Sequence, residues 1–202
     1  IICFLFMSIL ISWMWIINLY NFMDGIDGLT ALQVCTVAIC TNLLSILGYI
    51  NEEYQYFSLI LFTVYLAFYK FNQSPAKIFL GDVGSIPSGY LVGFIMISCF
   101  LTNGILLPIL IVNMYYILDS SITLLIRFYK RDNVLEAHSD HFYQKMIRKG
   151  YQHSYVIKWI FALNSILLIL SLVSMKLPII SFIFSILFTT ALLYLFYVKK
   201  EI

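Results

Sequence analysis

The sequence predicts an all-α fold, a polytopic bundle of about seven transmembrane helices. Of its 202 residues, 62% are hydrophobic and 11% are charged, whereas a soluble domain carries about 25% charged residues. Most of the apolar residues are grouped into runs close to the ~20 residues that a helix needs to cross a bilayer. These observations predict a single integral membrane domain over residues 1–202, with the lipid bilayer and not nucleic acid as its partner.

Seven apolar runs are the predicted spans, and polar residues, glycine or proline bound most of them. The first run ends before Asn18, the second begins after Gly28, and the third follows a short acidic segment. Pro87 opens the fourth run, Pro108 lies in the first turns of the fifth and Pro178 starts the seventh, where helices tolerate proline. The sixth run follows a long basic segment. In order, the runs cover residues 1–17, 29–48, 54–69, 86–101, 105–126, 154–174 and 177–198.

The basic residues indicate which side of the membrane each connecting segment occupies. If the seven runs all cross, the segments 18–28, 70–85 and 127–153 and the chain end 199–202 share one side. Of the 12 Lys and Arg residues, only Lys176 falls on the other side. Since Lys and Arg in short loops mark the cytoplasmic side, this side is predicted to be cytoplasmic, and 127–153 becomes a cytoplasmic, histidine-containing loop.

Three polar motifs also fall on the predicted cytoplasmic side, whereas the loops on the opposite side are short and carry no comparable polar motif. The first motif is NLYNFMDGIDGL (residues 18–29), the second is KIFLGDVGS (77–85) and the third is EAHSDHFYQK (136–145). A channel or carrier is expected to carry polar groups at both mouths. The one-sided arrangement therefore favours an active site at the cytoplasmic membrane surface.

The first two motifs have the residue types of a metal and diphosphate site. Asp24 and Asp27 stand three residues apart, each followed by a glycine, and two asparagines precede them. Carboxylate and amide oxygens are hard donors suited to Mg²⁺. In the second motif, Asp82 lies between glycines and before Ser85, at a predicted helix N-terminus that favours anions. Simple helix capping is the alternative for Asp24 and for Asp82.

The third motif places two histidines in basic surroundings. His138 and His141 stand three residues apart, a spacing that also occurs in zinc sites, but only Asp140 accompanies them as a further ligand. The lysines around them are expected to lie on anionic headgroups. Histidines among arginines are better suited to hold a diphosphate or a sugar phosphate, and the sequence favours that interpretation over zinc.

The stretches NLYNFMDGIDGL, FLGDVGSIPSGYLVG and EAHSDHFYQK resemble three motifs of the polyprenyl-phosphate N-acetylhexosamine-1-phosphate transferases, the glycosyltransferase 4 family. The resemblance keeps the same order from Asn18 to about Val156. The pattern His-x-x-His followed by Tyr-Gln is closer to the enzymes that initiate O-antigen and capsule synthesis than to the phospho-MurNAc-pentapeptide translocase.

The resemblance implies a role for most polar residues of the three motifs. Asp82 and Asn21 are implied to hold Mg²⁺, with Mn²⁺ as an alternative, and Asp119 matches a recurrent aspartate without an assigned role. The implied catalytic residues are Asp82, His138 and His141. The implied substrate-binding residues are Asn18, Asn21, Asp24, Gly25, Asp27, Arg127 and Arg131. The lipid tail is expected against the spans, near Ser88, Gly89 and Gly93, unless these small residues serve helix packing only.

The implied function is transfer of a sugar-1-phosphate from a UDP-N-acetylhexosamine to undecaprenyl phosphate, with UMP as the second product. Such an enzyme initiates O-antigen (lipopolysaccharide), capsule or related cell-envelope synthesis at the cytoplasmic face of the bacterial inner membrane. A homodimer is left open. The rival classes are a membrane transporter, for which Asp119 is the one favourable feature, and an intramembrane aromatic prenyltransferase, which would not need the histidine loop.

One feature departs from the family pattern. The family has an adjacent pair of aspartates on an earlier cytoplasmic loop, and these 202 residues contain no such pair. The chain also begins at Ile1, within an apolar run. Both observations predict that the chain is the C-terminal portion of a longer transferase. The alternative is that it is a catalytically incomplete fragment of such an enzyme.

Overall fold

The computed structural model describes residues 2–133, 136 and 138–201. Ala137 of the third motif and residues 134 and 135 of the predicted loop 127–153 lie outside the described residues, as do residues 1 and 202. Over the described ranges the chain is helical, without strands, so the predicted all-α class is confirmed. The helices are α1 (Ile2–Met23), α2 (Leu29–Ile46), α3 (Glu53–Asn72), α4 (Gly81–Asn103), α5 (Leu107–Val112), α6 (Met114–Tyr129), α7 (Phe142–Arg148), α8 (His153–Val173) and α9 (Pro178–Val198).

By length and composition, five of the described helices could cross a membrane, rather than the predicted seven. They are α1, α2, α4, α8 and α9. Tyrosines and the polar residues at both ends of α3 lower its mean hydropathy, so it is not among the five. The run 105–126 is divided at Asn113 into α5 and α6, and each piece is shorter than the ~20 residues that a span requires.

Hydrogen bonds at its two ends show that α3 nevertheless connects the two ends of the bundle. At one end, Asn103 Nδ2 donates a hydrogen bond to Asn51 Oδ1 at 2.9 Å. At the other end, the Gly28 N–H donates to Asn72 Oδ1 at 3.0 Å. Residue 51 lies just before α3 and residue 72 is its last residue, so this helix runs the length of the bundle. Tyr143 of the third motif also bonds to Phe22 at the end of α1, so the three polar motifs share one end, as their alternation along the sequence predicts.

The break at Asn113 is stabilised by the side chain of this residue and by side chains from α1 and α2. Asn113 Nδ2 donates to the carbonyl of Ile109 at 2.8 Å, and its Oδ1 accepts from the Tyr20 hydroxyl at 2.7 Å. Gln33 Nε2 donates to the carbonyl of Val112 at 2.8 Å and reaches Asn113 Oδ1 at 3.3 Å. Inside a bilayer, backbone groups freed by a helix break need such partners because water is absent.

The small residues of α4 pack against α1. A Cβ atom at Gly89 would lie 2.7 Å from Ile17 Cα, and one at Gly93 would lie 2.5 Å from Trp13 Cδ1. Ser88 is buried and hydrogen-bonds the Tyr65 hydroxyl at 2.6 Å. These residues let two helices approach closely, which favours the packing alternative over contact with the lipid tail.

We expect Gly89→Ala to lower the free energy of unfolding by about 1–3 kcal/mol, because the added methyl group meets backbone that cannot move aside. Gly93→Ala is the matched comparison, since its added methyl group meets the side chain of Trp13. Combining Gly93→Ala with Trp13→Leu should therefore restore the stability that Gly93→Ala loses. Thermal unfolding of the detergent-solubilised variants measures both effects. Equal stability of Gly89→Ala and the unsubstituted protein would contradict the close packing of α1 on α4.

Candidate active site

The first two motifs are in direct contact at the end of α1. Asn21, in the last turns of α1, donates through Nδ2 to Asp82 Oδ1 at 2.9 Å and to Ser85 Oγ at 3.0 Å. Asp82 is exposed in the first turn of α4, while Ser85 is buried beneath it. An exposed carboxylate and an amide group therefore lie side by side at the surface of the bundle.

The third motif packs on the same helix end through α7. The Tyr143 hydroxyl donates to the carbonyl of Phe22 at 3.2 Å. A Cβ atom at Gly25 would lie 2.3 Å from that hydroxyl oxygen and 3.0 Å from Gln144 Nε2. Glycine at position 25 therefore allows the first and third motifs to meet.

Asp24 lies half-buried between these contacts. Burial raises the pKa of its carboxyl group, and the negative charge of Asp82 adds to the rise, while hydrogen bonds from Thr30 and Gly81 oppose it. The hydrogen bond from Gly81 places the Asp24 carboxyl group beside the residue that precedes Asp82.

Asp27 has protein partners on another side of the helix end. Its Oδ2 accepts from the Ala76 N–H at 3.1 Å and lies 3.2 Å from His153 Nδ1. The side chain is 11% exposed and borders a cavity of about 150 Å³ that Gln73 and Lys158 also line. The predicted role of Asp27 in base recognition stays a prediction.

Arg127 organises the loop that carries the third motif. Its Nη1 donates to Asp140 Oδ2 at 2.7 Å, and its Nη2 donates to the carbonyl of Asn133 at 2.7 Å. Burial would raise the pKa of Asp140, but hydrogen bonds from Arg127 and Arg148 outweigh it and lower that pKa. Because Arg127 binds the loop itself, its predicted contact with substrate stays a prediction.

Two other predicted substrate-binding residues are exposed. Asn18 lies on α1 almost one turn before Asn21, and Arg131 follows α6 with a φ of +60°. Within the described ranges, neither side chain has a hydrogen bond or an ion pair. Both are accessible to a ligand, and among the described residues neither side chain hydrogen-bonds to Asn21 or Asp82.

The two histidines of the third motif lie together but differ in environment. Their ring centroids are 5.1 Å apart. His141 is buried, with Nδ1 3.1 Å from Asp119 Oδ1, while His138 is partly exposed. Burial lowers the pKa of His138, and the neighbouring His141 and Arg127 lower it further. His138 is therefore mostly neutral near neutral pH in the ligand-free protein.

Sequence reasoning did not single out Tyr143 or assign a role to Asp119. Tyr143 belongs to the third motif, but its contact with Phe22 joins residues 121 positions apart. Asp119 was visible as a carboxylate within an apolar run, which is a signal of function, but the sequence alone does not name its partner.

The donor set of this site fits Mg²⁺ better than zinc. Among the described residues, no three His, Cys, Asp or Glu side chains form a group that could hold a metal, so His138 and His141 have no third ligand there. Mg²⁺ usually binds one or two carboxylates and completes its shell with water and substrate phosphates. Asp82, Asn21 and the nearby Asp24 supply oxygen atoms of that kind at an open surface.

Comparison with known proteins supports one family. The model of glycosyl transferase family 4 matches residues 1–100. Phospho-N-acetylmuramoyl-pentapeptide-transferase of Lactococcus lactis subsp. cremoris (strain MG1363) is 35% identical over 132 residues, 63% of this chain and 38% of the relative. The enzyme of that name from Streptococcus pyogenes serotype M49 (strain NZ131) is 32% identical over 116 residues, 56% of this chain and 32% of the relative.

The chain thus spans about a third of the length of these relatives. The family match covers the first motif, the second motif and the α1–α4 contact between them. The chain belongs to glycosyl transferase family 4.

Proposed function

We propose that the protein transfers a sugar-1-phosphate from a UDP-N-acetylhexosamine to undecaprenyl phosphate at the cytoplasmic face of a bacterial inner membrane. The observation that carries this proposal is the convergence of three polar motifs at one end of α1. Membership of glycosyl transferase family 4 supports the proposal, and the names of the relatives support the broader class of phospho-sugar transfer. The pattern of His138 and His141 favours an enzyme that initiates O-antigen or capsule synthesis.

In the proposed reaction, an oxygen of the lipid phosphate forms a bond to the β phosphorus of the UDP-sugar. The bond from that phosphorus to the bridging oxygen breaks, and UMP leaves with the bridging oxygen. Asp82 and Asn21 would hold Mg²⁺, which neutralises phosphate charge when bound. Asp24 and Gly25 border the same region, and His138 donates a hydrogen bond to a phosphate oxygen. The chain thus mainly positions the two phosphates.

The transporter alternative loses its main support. Asp119 is the intramembrane carboxylate that favoured a transport pathway. Its Oδ1 accepts a hydrogen bond from the Phe142 N–H at 3.1 Å and lies 3.1 Å from His141 Nδ1. These contacts connect Asp119 to the third motif, and they give a structural reason for its position that needs no transported ion.

The test is a reaction with UDP-sugars labelled with phosphorus-32 at the β phosphate, in membranes carrying the protein from its full reading frame. The panel contains UDP-N-acetylhexosamines and UDP-MurNAc-pentapeptide, with undecaprenyl phosphate and Mg²⁺. We expect UMP and labelled lipid with one N-acetylhexosamine and none with the pentapeptide substrate. Release of UDP without labelled lipid, or uptake of the sugar without a lipid product, would contradict the proposed reaction.

The position of His138 predicts that binding of the UDP-sugar tightens as the pH falls from neutral to below the ordinary histidine pKa of about 6.5. The lowered pKa leaves His138 mostly neutral in the free protein, and protonation adds a positive charge beside the bound diphosphate. His141, Arg127, Asp140 and Lys145 also face this histidine. Titration with UDP-sugar and Mg²⁺ in the absence of lipid measures the effect, and His138→Gln should abolish most of it. An unchanged pH dependence in His138→Gln would reject this role.

A further inference from the structure

Asp119 is a buried carboxylate within α6 that the proposed reaction does not use. Its Oδ1 lies 3.1 Å from His141 Nδ1, 3.1 Å from the Phe142 backbone nitrogen and 3.4 Å from Thr123 Oγ1. Its Oδ2 accepts from the Tyr115 hydroxyl at 3.2 Å. The side chain is fully shielded from solvent, so all four contacts are made inside the protein.

These contacts are divided between two parts of the chain. Tyr115 and Thr123 lie one turn before and one turn after Asp119 on the same helix. His141 and Phe142 follow it by 22 and 23 residues. A buried carboxylate is costly unless hydrogen bonds and an opposite charge compensate it. Two of the four contacts come from the third motif, so Asp119 joins that motif to α6.

The contact with Asp119 also restricts the chemistry of the His141 ring. A carboxylate facing Nδ1 favours the proton on that nitrogen, which leaves Nε2 as the ring nitrogen available to another group. The ring stacks on Tyr143 with centroids 5.8 Å apart and planes at 14°, and His138 lies beside it. The carboxylate, Tyr143 and His138 together hold the ring in one orientation.

We propose that Asp119 is a positioning residue that fixes the tautomer and the orientation of His141 in the phosphate-binding loop. The effect on turnover rests on the proposed transferase function, whereas the effect on the histidine ring does not. The two parts can therefore fail separately.

The tautomer of His141 is tested by nitrogen-15 NMR of the detergent-solubilised protein labelled at histidine. The variant His141→Ala assigns the signals. In the unsubstituted protein at a pH where His141 is neutral, we expect the proton on Nδ1. Asp119→Ala should redistribute it between the two nitrogens, while Thr123→Val, which removes a different contact of the same carboxylate, should not. A proton on Nε2 in the unsubstituted protein would overturn the proposal without any variant having to fold.

Turnover provides the second test. Asp119→Asn should lower turnover by about 10- to 100-fold, the size of effect that is typical when a carboxylate that orients a metal-binding histidine is lost. In a His141→Ala background the same substitution should cause no further loss, because Asp119 acts through that ring. Additive losses would indicate a general structural role and overturn the proposal. Absence of UMP with every sugar would reject the transferase function, and the NMR result would still decide the role of Asp119.

Discussion

Asp82→Asn is expected to lower the rate of UMP release by at least about 100-fold while leaving the fold intact. The substitution keeps an oxygen that can accept the hydrogen bond from Asn21, but it removes the negative charge needed to hold a divalent cation beside a diphosphate. Because Asp82 is exposed in the first turn of α4, thermal unfolding should hardly change. Steady-state assays with saturating UDP-sugar and lipid measure the loss.

Glu52→Gln is the matched control, since it removes one exposed carboxylate at the opposite end of the bundle. It should retain full turnover. Higher Mg²⁺ should partly restore Asp82→Asn if the lost charge acts on the metal. Retention of more than about a tenth of the turnover in Asp82→Asn at every Mg²⁺ concentration would argue against a central role for this carboxylate.

Gly25→Ala is expected to lower turnover by about 10- to 100-fold, because displacement of reacting groups by about 1 Å can have that effect. The added methyl group would lie 2.3 Å from the Tyr143 hydroxyl oxygen, and α7 must move away from the end of α1 to relieve the clash. Because Tyr143 is buried, this movement should also lower the thermal stability, but by less than would account for the loss of turnover. Turnover and unfolding of the same preparations separate the two effects.

Tyr143→Phe provides the rescue experiment. By itself it removes the hydrogen bond to the carbonyl of Phe22 and should have a small effect. In combination with Gly25→Ala it removes the atom at 2.3 Å, and the remaining Tyr143 contact is its Cε2 atom at 3.1 Å. Turnover should recover in large part. A double variant no more active than Gly25→Ala would show that α7 does not transmit the effect.

The sequence predicted the helical class and the grouping of the motifs at one end because both follow from hydropathy and alternation. It also predicted that Asp82 lies beside the first motif, and Asn21 of that motif hydrogen-bonds to Asp82. The individual hydrogen bonds could not be predicted, since they depend on helix rotation and on how the loops fold.

The least predictable features are contacts between distant residues. No proline or glycine occupies position 113, and the helix break there depends on Tyr20 and Gln33 from other helices. The burial of His141 against Asp119 likewise depends on how the intervening loop folds. The prediction of seven spans treated each apolar run as one helix. It was wrong for the fifth run, which is interrupted at Asn113.

The central claim is that the three motifs form one nucleotide-sugar site on the cytoplasmic face. Single cysteines at Phe22, Val83 and Ser139, exposed neighbours of the site residues, test it directly in a background where the exposed Cys3 is Ser. Glu52→Cys reports on the opposite end of the bundle. The measurement is the labelling rate with a membrane-impermeant maleimide in inside-out and right-side-out vesicles.

We predict that all three motif cysteines react in inside-out vesicles only, and that UDP-sugar with Mg²⁺ slows all three reactions. The cysteine at position 52 should react from the other side at a rate that the ligand does not change. Labelling of the three motif positions from different faces, or protection of one motif without the other two, would contradict a single cytoplasmic site.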